Sequence, residues 1–140
     1  MTAVAKKLAK YQKVIKDDYS IMLNSNKGVS SKVFDDILEI SGIAKSFLAE
    51  NIFDMSVKTL FRYQKENKKL SPRLSETALK FVNLLDKGVE LFGEIQSFRN
   101  WLNKPAYGLG NKIPIDLLNT NTGMNLIEEE LLRIEHGALA

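Results

Sequence analysis

Leu74, Ala78, Phe81, Leu85, Val89 and Phe92 recur at intervals of 4, 3, 4, 4 and 3 residues. Only a helix brings side chains at that spacing onto one stripe, so this segment predicts about five helical turns with a single buried face. Ser71-Pro72 ahead of it supplies a capping hydroxyl and a proline in the first turn, where its missing N–H is not needed. Gly93 closes the stripe. A face this long needs neighbours, and the rest of the chain reads as more helix. Only three prolines occur, Pro72, Pro105 and Pro114, and no convincing alternating strand is present. The expected fold class is all-α.

The same reasoning places the other elements. Residues 1–20 carry Val4, Leu8, Tyr11 and Ile15 at helical spacing, with Lys6, Lys10, Lys13 and Lys16 on other faces. This reads as one amphipathic helix that docks on a partner, or as a frayed basic arm. Residues 24–28 read as a loop. Ser30 or Ser31 then caps a helix carrying Val33, Phe34, Ile37, Leu38 and Ile40, ended by Gly42. A short helix follows at 44–51. Ser56 caps the next, in which Val57, Leu60 and Phe61 are expected inward, and Ser56, Lys58, Thr59, Arg62 and Lys65 outward. Residues 94–103 present Ile95, Phe98, Trp101 and Leu102, with Phe98 and Trp101 read as structural. A short helix at 115–118 and a last one from about 122 to 135, with Met124, Ile127, Leu131 and Ile134 inward, complete the set. Gly137 is the expected terminal cap.

Between them, WLNKPAYGLGNKIPIDLLNTNTG packs the only tryptophan, two prolines and three glycines into residues 101–123. Free and fixed φ angles set so close together make a specific turn rather than a generic linker.

Composition narrows the function. No run approaches the roughly 18 apolar residues of a membrane span, and no secretory signal is visible at the N-terminus. With no cysteine there is neither a disulfide framework nor a thiolate metal site, and the cytoplasm is the expected compartment. Residues 1–70 hold 13 Lys and Arg against 8 Asp and Glu, whereas residues 71–140 hold 7 against 9. A basic front half and a mildly acidic back half suggest two jobs.

Residues 43–66 have the outline of a helix-turn-helix: a short helix, a tight turn, a capped basic helix. Such a second helix can enter the major groove and meet base edges and phosphates. Ser56, Lys58, Thr59, Arg62 and Lys65 are the candidate DNA-binding residues, with Lys68 and Lys69 extending the positive track. The alternative is a helix-turn-helix used only for packing. No nucleophile–base pair or metal cluster stands out, so no catalytic residue, metal ligand or cofactor is assigned. His136 is the lone histidine, near a helix C-terminus where positive charge is mildly favoured. Glu128-Glu129-Glu130 reads as a solvated face that could meet a basic rim on a partner. Gly108-x-Gly110 follows no strand and lacks the Lys-Ser/Thr of a phosphate loop.

Taken together, residues 29–140 resemble the Xre/MbcA/ParS-type antitoxins of bacterial toxin–antitoxin systems. The front part, SFLAENIFDMSVKTLFRYQKENKKLS, is similar to their divergent helix-turn-helix. The back part matches their toxin-binding domain through the long helix from Leu74 to Gly93, Trp101-Leu102, Gly108-Leu109-Gly110, Pro114, Leu117-Leu118, Thr120, Gly123 and the ending LLRIEHGALA. Asn111 stands where a second glycine is common, and Asp54 replaces the usual turn glycine. The resemblance implies a variable arm at 1–28, a helix-turn-helix region at 29–70 and a toxin-binding domain at 71–140. It implies a cognate RES-domain toxin that consumes NAD or transfers from it, blocked at its active-site entrance by the antitoxin's C-terminal segment. It implies repression of the chain's own promoter through operator DNA, as a homodimer or larger toxin–antitoxin assembly. Trp101, Tyr107, Asn111, Arg133, His136, Gly137 and Leu139 are the toxin-facing positions it suggests. Two other readings stay open from the residues: an all-helical partner-binding adaptor without DNA binding and, ranked lowest, an enzyme.

Overall fold

The computed structural model describes residues 2–137. Eight α-helices run through them: α1 (Ala3–Ala9), α2 (Asp18–Lys27), α3 (Lys32–Ser41), α4 (Lys45–Phe47), α5 (Val57–Glu66), α6 (Pro72–Phe92), α7 (Ile95–Leu102) and α8 (Asn121–Glu135). α4 runs on into a π turn at Leu48–Ile52, and 3-10 turns at Tyr107–Leu109 and Pro114–Leu117 lie between α7 and α8. Among the described residues the strand-like pairings are two isolated antiparallel bridges, Ser30 with Lys69 and Ala106 with Lys112. The fold is all-α, as expected. No described helix is long and apolar enough to cross a membrane. The chain divides into two compact units, residues 1–83 and 84–140, with the boundary inside α6.

The first unit is built on α3, which buries Val33, Phe34, Ile37 and Ile40. Leu48, Ile52, Phe53 and Leu60 are buried in the same unit, and the Phe53 ring meets Phe34 edge-on at 4.8 Å. Ser31 does not cap α3. Its fully buried hydroxyl donates to the Tyr63 carbonyl at 2.8 Å and ties α3 to the end of α5, while Ser30 Oγ accepts from the Lys32 N–H at 3.2 Å. Ser56 and Ser71 do cap as expected, accepting from the N–H groups of Thr59 at 3.0 Å and Leu74 at 3.2 Å.

The N-terminal reading needs correction. Residues 1–20 are not one helix. α1 stops at Ala9, turns follow, and α2 starts afresh where Asp17 Oδ1 accepts the Ser20 N–H at 2.8 Å. Hydrogen bonds from Ser20 hold the Asp17 carboxyl below its ordinary pKa. α2 then runs through residues 24–27, expected as loop, and ends at Gly28 with φ 82°. The N-terminal segment is tied to α3 by polar contacts. Asp36 is a buried carboxylate, and the N-terminal segment supplies its partners. Lys10 Nζ lies 3.1 Å from Oδ2, Lys7 Nζ lies 3.6 Å from Oδ1, and the Tyr11 hydroxyl donates to Oδ2. Burial, then the Asp36 carboxylate, pushes the Tyr11 phenol far above its ordinary pKa of 10.0.

In the second unit Phe98 and Leu102 of α7 are buried with Leu118 and with Met124, Ile127 and Leu131 of α8. Phe98 stacks on Trp101 at 5.9 Å and 14°, and on Phe92 at 5.8 Å. Thr120 starts α8 by accepting the Gly123 N–H at 2.9 Å. A Cβ at Gly123 would lie 1.8 Å from the Leu117 carbonyl oxygen, so only glycine lets the 3-10 turn at Pro114–Leu117 fold back on α8. The short helix expected at 115–118 is this 3-10 turn, with Pro114 at its start.

The Tyr11 contact gives a pH signature. Its folded pKa lies above its unfolded one, so the stabilisation is whole below about pH 10 and falls as pH rises beyond it, because only the unfolded phenol then ionises. Tyr11→Phe should cost about 1 kcal/mol at neutral pH and make the alkaline loss shallower. Denaturant melts at pH 8 and pH 11 measure both effects.

Candidate functional site

The front candidate lies on α4, its π extension and α5. The π turn closes with the Phe53 N–H on the Leu48 carbonyl at 3.0 Å, and the Met55 N–H reaches the Ala49 carbonyl at 2.9 Å. Asp54 between them takes φ 50°, the left-handed geometry that a glycine would adopt freely. Ser56 Oγ accepts the Thr59 N–H and donates to Thr59 Oγ1 at 2.9 Å, so both hydroxyls are engaged in starting α5. Ser56, Lys58, Arg62 and Lys65 are exposed and Thr59 is half-buried. The inward set was misread. Leu60 alone of the expected three is buried, Val57 is exposed, and the Phe61 ring is 55% exposed with Lys45 Nζ 5.3 Å from its centroid.

The rear candidate is the turn at 106–112 set against α8. The turn closes on itself: the Ala106 N–H donates to the Lys112 carbonyl at 3.0 Å, and the Asn111 N–H to the Ala106 carbonyl at 2.9 Å. Asn111 accepts left-handed geometry, φ 63°, and its side chain is exposed. Tyr107 projects from this turn 82% exposed, the most exposed of the large apolar and aromatic residues described.

Gly108 explains why the turn stands where it does. A Cβ there would lie 1.9 Å from Glu130 Oε2. Glu130 is 1% exposed, which corrects the expectation that all three glutamates at 128–130 face solvent. Arg133, one turn further along α8, donates from Nε to Glu130 Oε1 at 2.8 Å and reaches the Gly108 carbonyl from Nη2 at 3.4 Å. Turn and helix are thus joined through one buried carboxylate and one guanidinium. Glu128, half-buried, pairs with Lys87 of α6 at 3.1 Å, while Glu129 is exposed.

The suggested toxin-facing residues fall out as follows. Tyr107, Asn111 and Arg133 gather at the turn, and His136 and Gly137 follow on the exposed end of α8. Gly137 has φ 74° and its N–H reaches the Ile134 carbonyl at 3.1 Å. Trp101 is apart in character, half-buried in the stack with Phe92 and Phe98. Leu139 lies outside the described residues. Glu130 is the residue that sequence reasoning missed. The signal was Gly108 itself, since a glycine inside a specific turn marks a close approach whose other side must be found.

Gly108→Ala should therefore destabilise the chain by about 1–3 kcal/mol through overpacking. The same substitution should cost less in a Glu130→Ala background, where the clash is gone. A double-mutant cycle in thermal melts measures that coupling.

Comparison with known proteins bears on the same stretch of the chain. Residues 87–137, which contain the turn, Glu130 and Arg133, match the family described as the antitoxin Xre/MbcA/ParS C-terminal toxin-binding domain. The chain is 29% identical over 123 residues to the antitoxin Xre of Yersinia enterocolitica serotype O:8 / biotype 1B, covering 86% of this chain and 82% of that one. It is 27% identical over 116 residues to the antitoxin Xre of Photorhabdus laumondii subsp. laumondii, covering 82% and 78%. A Prs ADP-ribosylating antitoxin of Sphingobium sp. (strain YBL2) is 33% identical over 96 residues, covering 62% and 60%. The second unit thus carries the match to a toxin-binding domain, and over most of its length the chain is similar to proteins named as Xre antitoxins.

Proposed function

We propose that this antitoxin neutralises a RES-domain toxin that consumes NAD or transfers from it, by seating the 106–112 turn and the end of α8 at the toxin's active-site entrance. The observation that carries the reading is Tyr107, an exposed aromatic on a turn that Glu130 and Arg133 hold rigid. Aromatic anchors on preorganised backbone give the largest share of affinity in protein interfaces, because little freedom is lost on binding. The words in the name of the Sphingobium relative support the choice of toxin, since ADP-ribosylation draws its ADP-ribose from NAD.

The first unit, in this reading, represses the chain's own promoter in the cytoplasm as a homodimer or within a toxin–antitoxin assembly. α5 enters the major groove, Lys58, Arg62 and Lys65 meet phosphates or bases, and Ser56 and Thr59 fix the start of the helix. The exposure of those three cations on one helix supports it.

Co-expression with the toxin encoded beside the gene, followed by pull-down and growth measurement, tests the first part. The intact chain should capture the toxin and restore growth. Tyr107→Ala should lower affinity tenfold or more, and truncation after Glu135 should weaken inhibition with the fold intact. Full neutralisation by both variants would refute the proposed contact surface.

Titration of promoter DNA tests the second part. Arg62→Ala should weaken binding and reduce the salt slope by about one. A flat titration at low salt would leave the partner-binding adaptor as the better account of the first unit.

A further inference from the structure

Five side chains of α5 share one exposed stripe: Val57, Lys58, Phe61, Arg62 and Lys65. Their steps of 1, 3, 1 and 3 residues keep them on one side of the helix, while Leu60 is fully buried on the other. Three of the five are cations and none is an acid. The ammonium of Lys45 adds a fourth, over the Phe61 ring, and Lys68 and Lys69 follow beyond the helix. An isolated exposed apolar side chain is ordinary on a protein surface. Here the aromatic ring and the valine one turn before it run alongside the cations of α5, with Lys45 over the ring, which favours a polyanion with an apolar group to offer. DNA has one in the major groove, the C5 methyl of thymine, and apolar side chains contact it there.

We propose that Phe61, with Val57 one turn earlier, packs on thymine methyl groups and makes this face of α5 a thymine-selective reader of the operator. The inference rests on the DNA-binding reading of α5 given above. It names base selection by apolar contact, which phosphate contacts cannot provide, since they fix position and carry no sequence information.

Uracil pairs as thymine does and lacks only that methyl group. The promoter fragment upstream of the chain's gene is amplified once with dTTP and once with dUTP, and the purified chain is titrated with each at low salt. Each buried methyl contact should contribute about fourfold, so the thymine fragment should bind about fifteenfold tighter where two are made. Phe61→Ala should lose most of the preference, and Phe61→Ala combined with Val57→Ala should bind both fragments alike. Phe61→Leu should keep part of the preference. Arg62→Ala should weaken both by the same factor and leave the preference intact. Phe61 is exposed, so melting temperatures of the variants should match the parent and separate lost contact from lost fold.

Equal affinity of the parent chain for the two fragments would overturn the proposal while leaving DNA binding standing. So would a preference that survives the double substitution of Phe61 and Val57 by alanine, or a Phe61→Ala variant whose elution volume or toxin capture changes, which would mark this face as a protein interface. Binding to neither fragment would remove the proposal and the repressor reading together, and would leave toxin neutralisation untouched.

Discussion

A carboxylate cut off from water must find a cation and a donor close by, or it is lost as a charge. Glu130 sets that condition in the second unit. Arg133 meets it from the same helix, and the nearby Gly108 backbone fills the space on the turn's side. Neither contact can be given up singly, since removing the arginine strands a buried negative charge and adding a side chain to the glycine collides with it. The turn that carries Tyr107 is therefore held by charge and shape together. Such an arrangement suits a surface that must meet another protein without first reorganising.

The first unit repeats the device with different parts. Asp36 is buried on α3, and Lys7, Lys10 and Tyr11 arrive from the N-terminal segment to satisfy it. That segment is pinned to the unit by polar contacts as well as by Leu8 and Ile15, which are buried. Ser31, also buried, joins α3 to the end of α5. α5 is held on α3 by that serine, by the Tyr63 ring near Phe34 and by Gln64 donating to Asp35, with Leu60 buried, and its outward stripe is left free for charge and for an aromatic ring.

The α6 stripe, the caps at Ser56 and Ser71, the closing role of Gly93 and the turn at 101–123 were legible because each depends on neighbours in sequence. What could not be read depends on neighbours in space. Asp36 on α3 finds its partners Tyr11, Lys10 and Lys7 between 25 and 29 positions away. Phe61 sits at a spacing that fits a core position, yet the unit fills that place with Leu60 and leaves the phenyl ring outside. Three glutamates in a row look alike in sequence, and only the approach of Gly108 separates Glu130 from the others. Of the candidate site, the residue types and the turn were visible beforehand, and the carboxylate that joins turn to helix was not.

Trp101 is the chain's one indole, and it lies half-buried between Phe98 and Phe92 in the second unit. Tyrosine is the only comparable fluorophore in the first unit, so emission excited near 295 nm reports on the second unit alone. Quenching or a colour shift when a toxin docks would follow events at that end of the molecule without any label, and would stay silent to whatever the other end is doing.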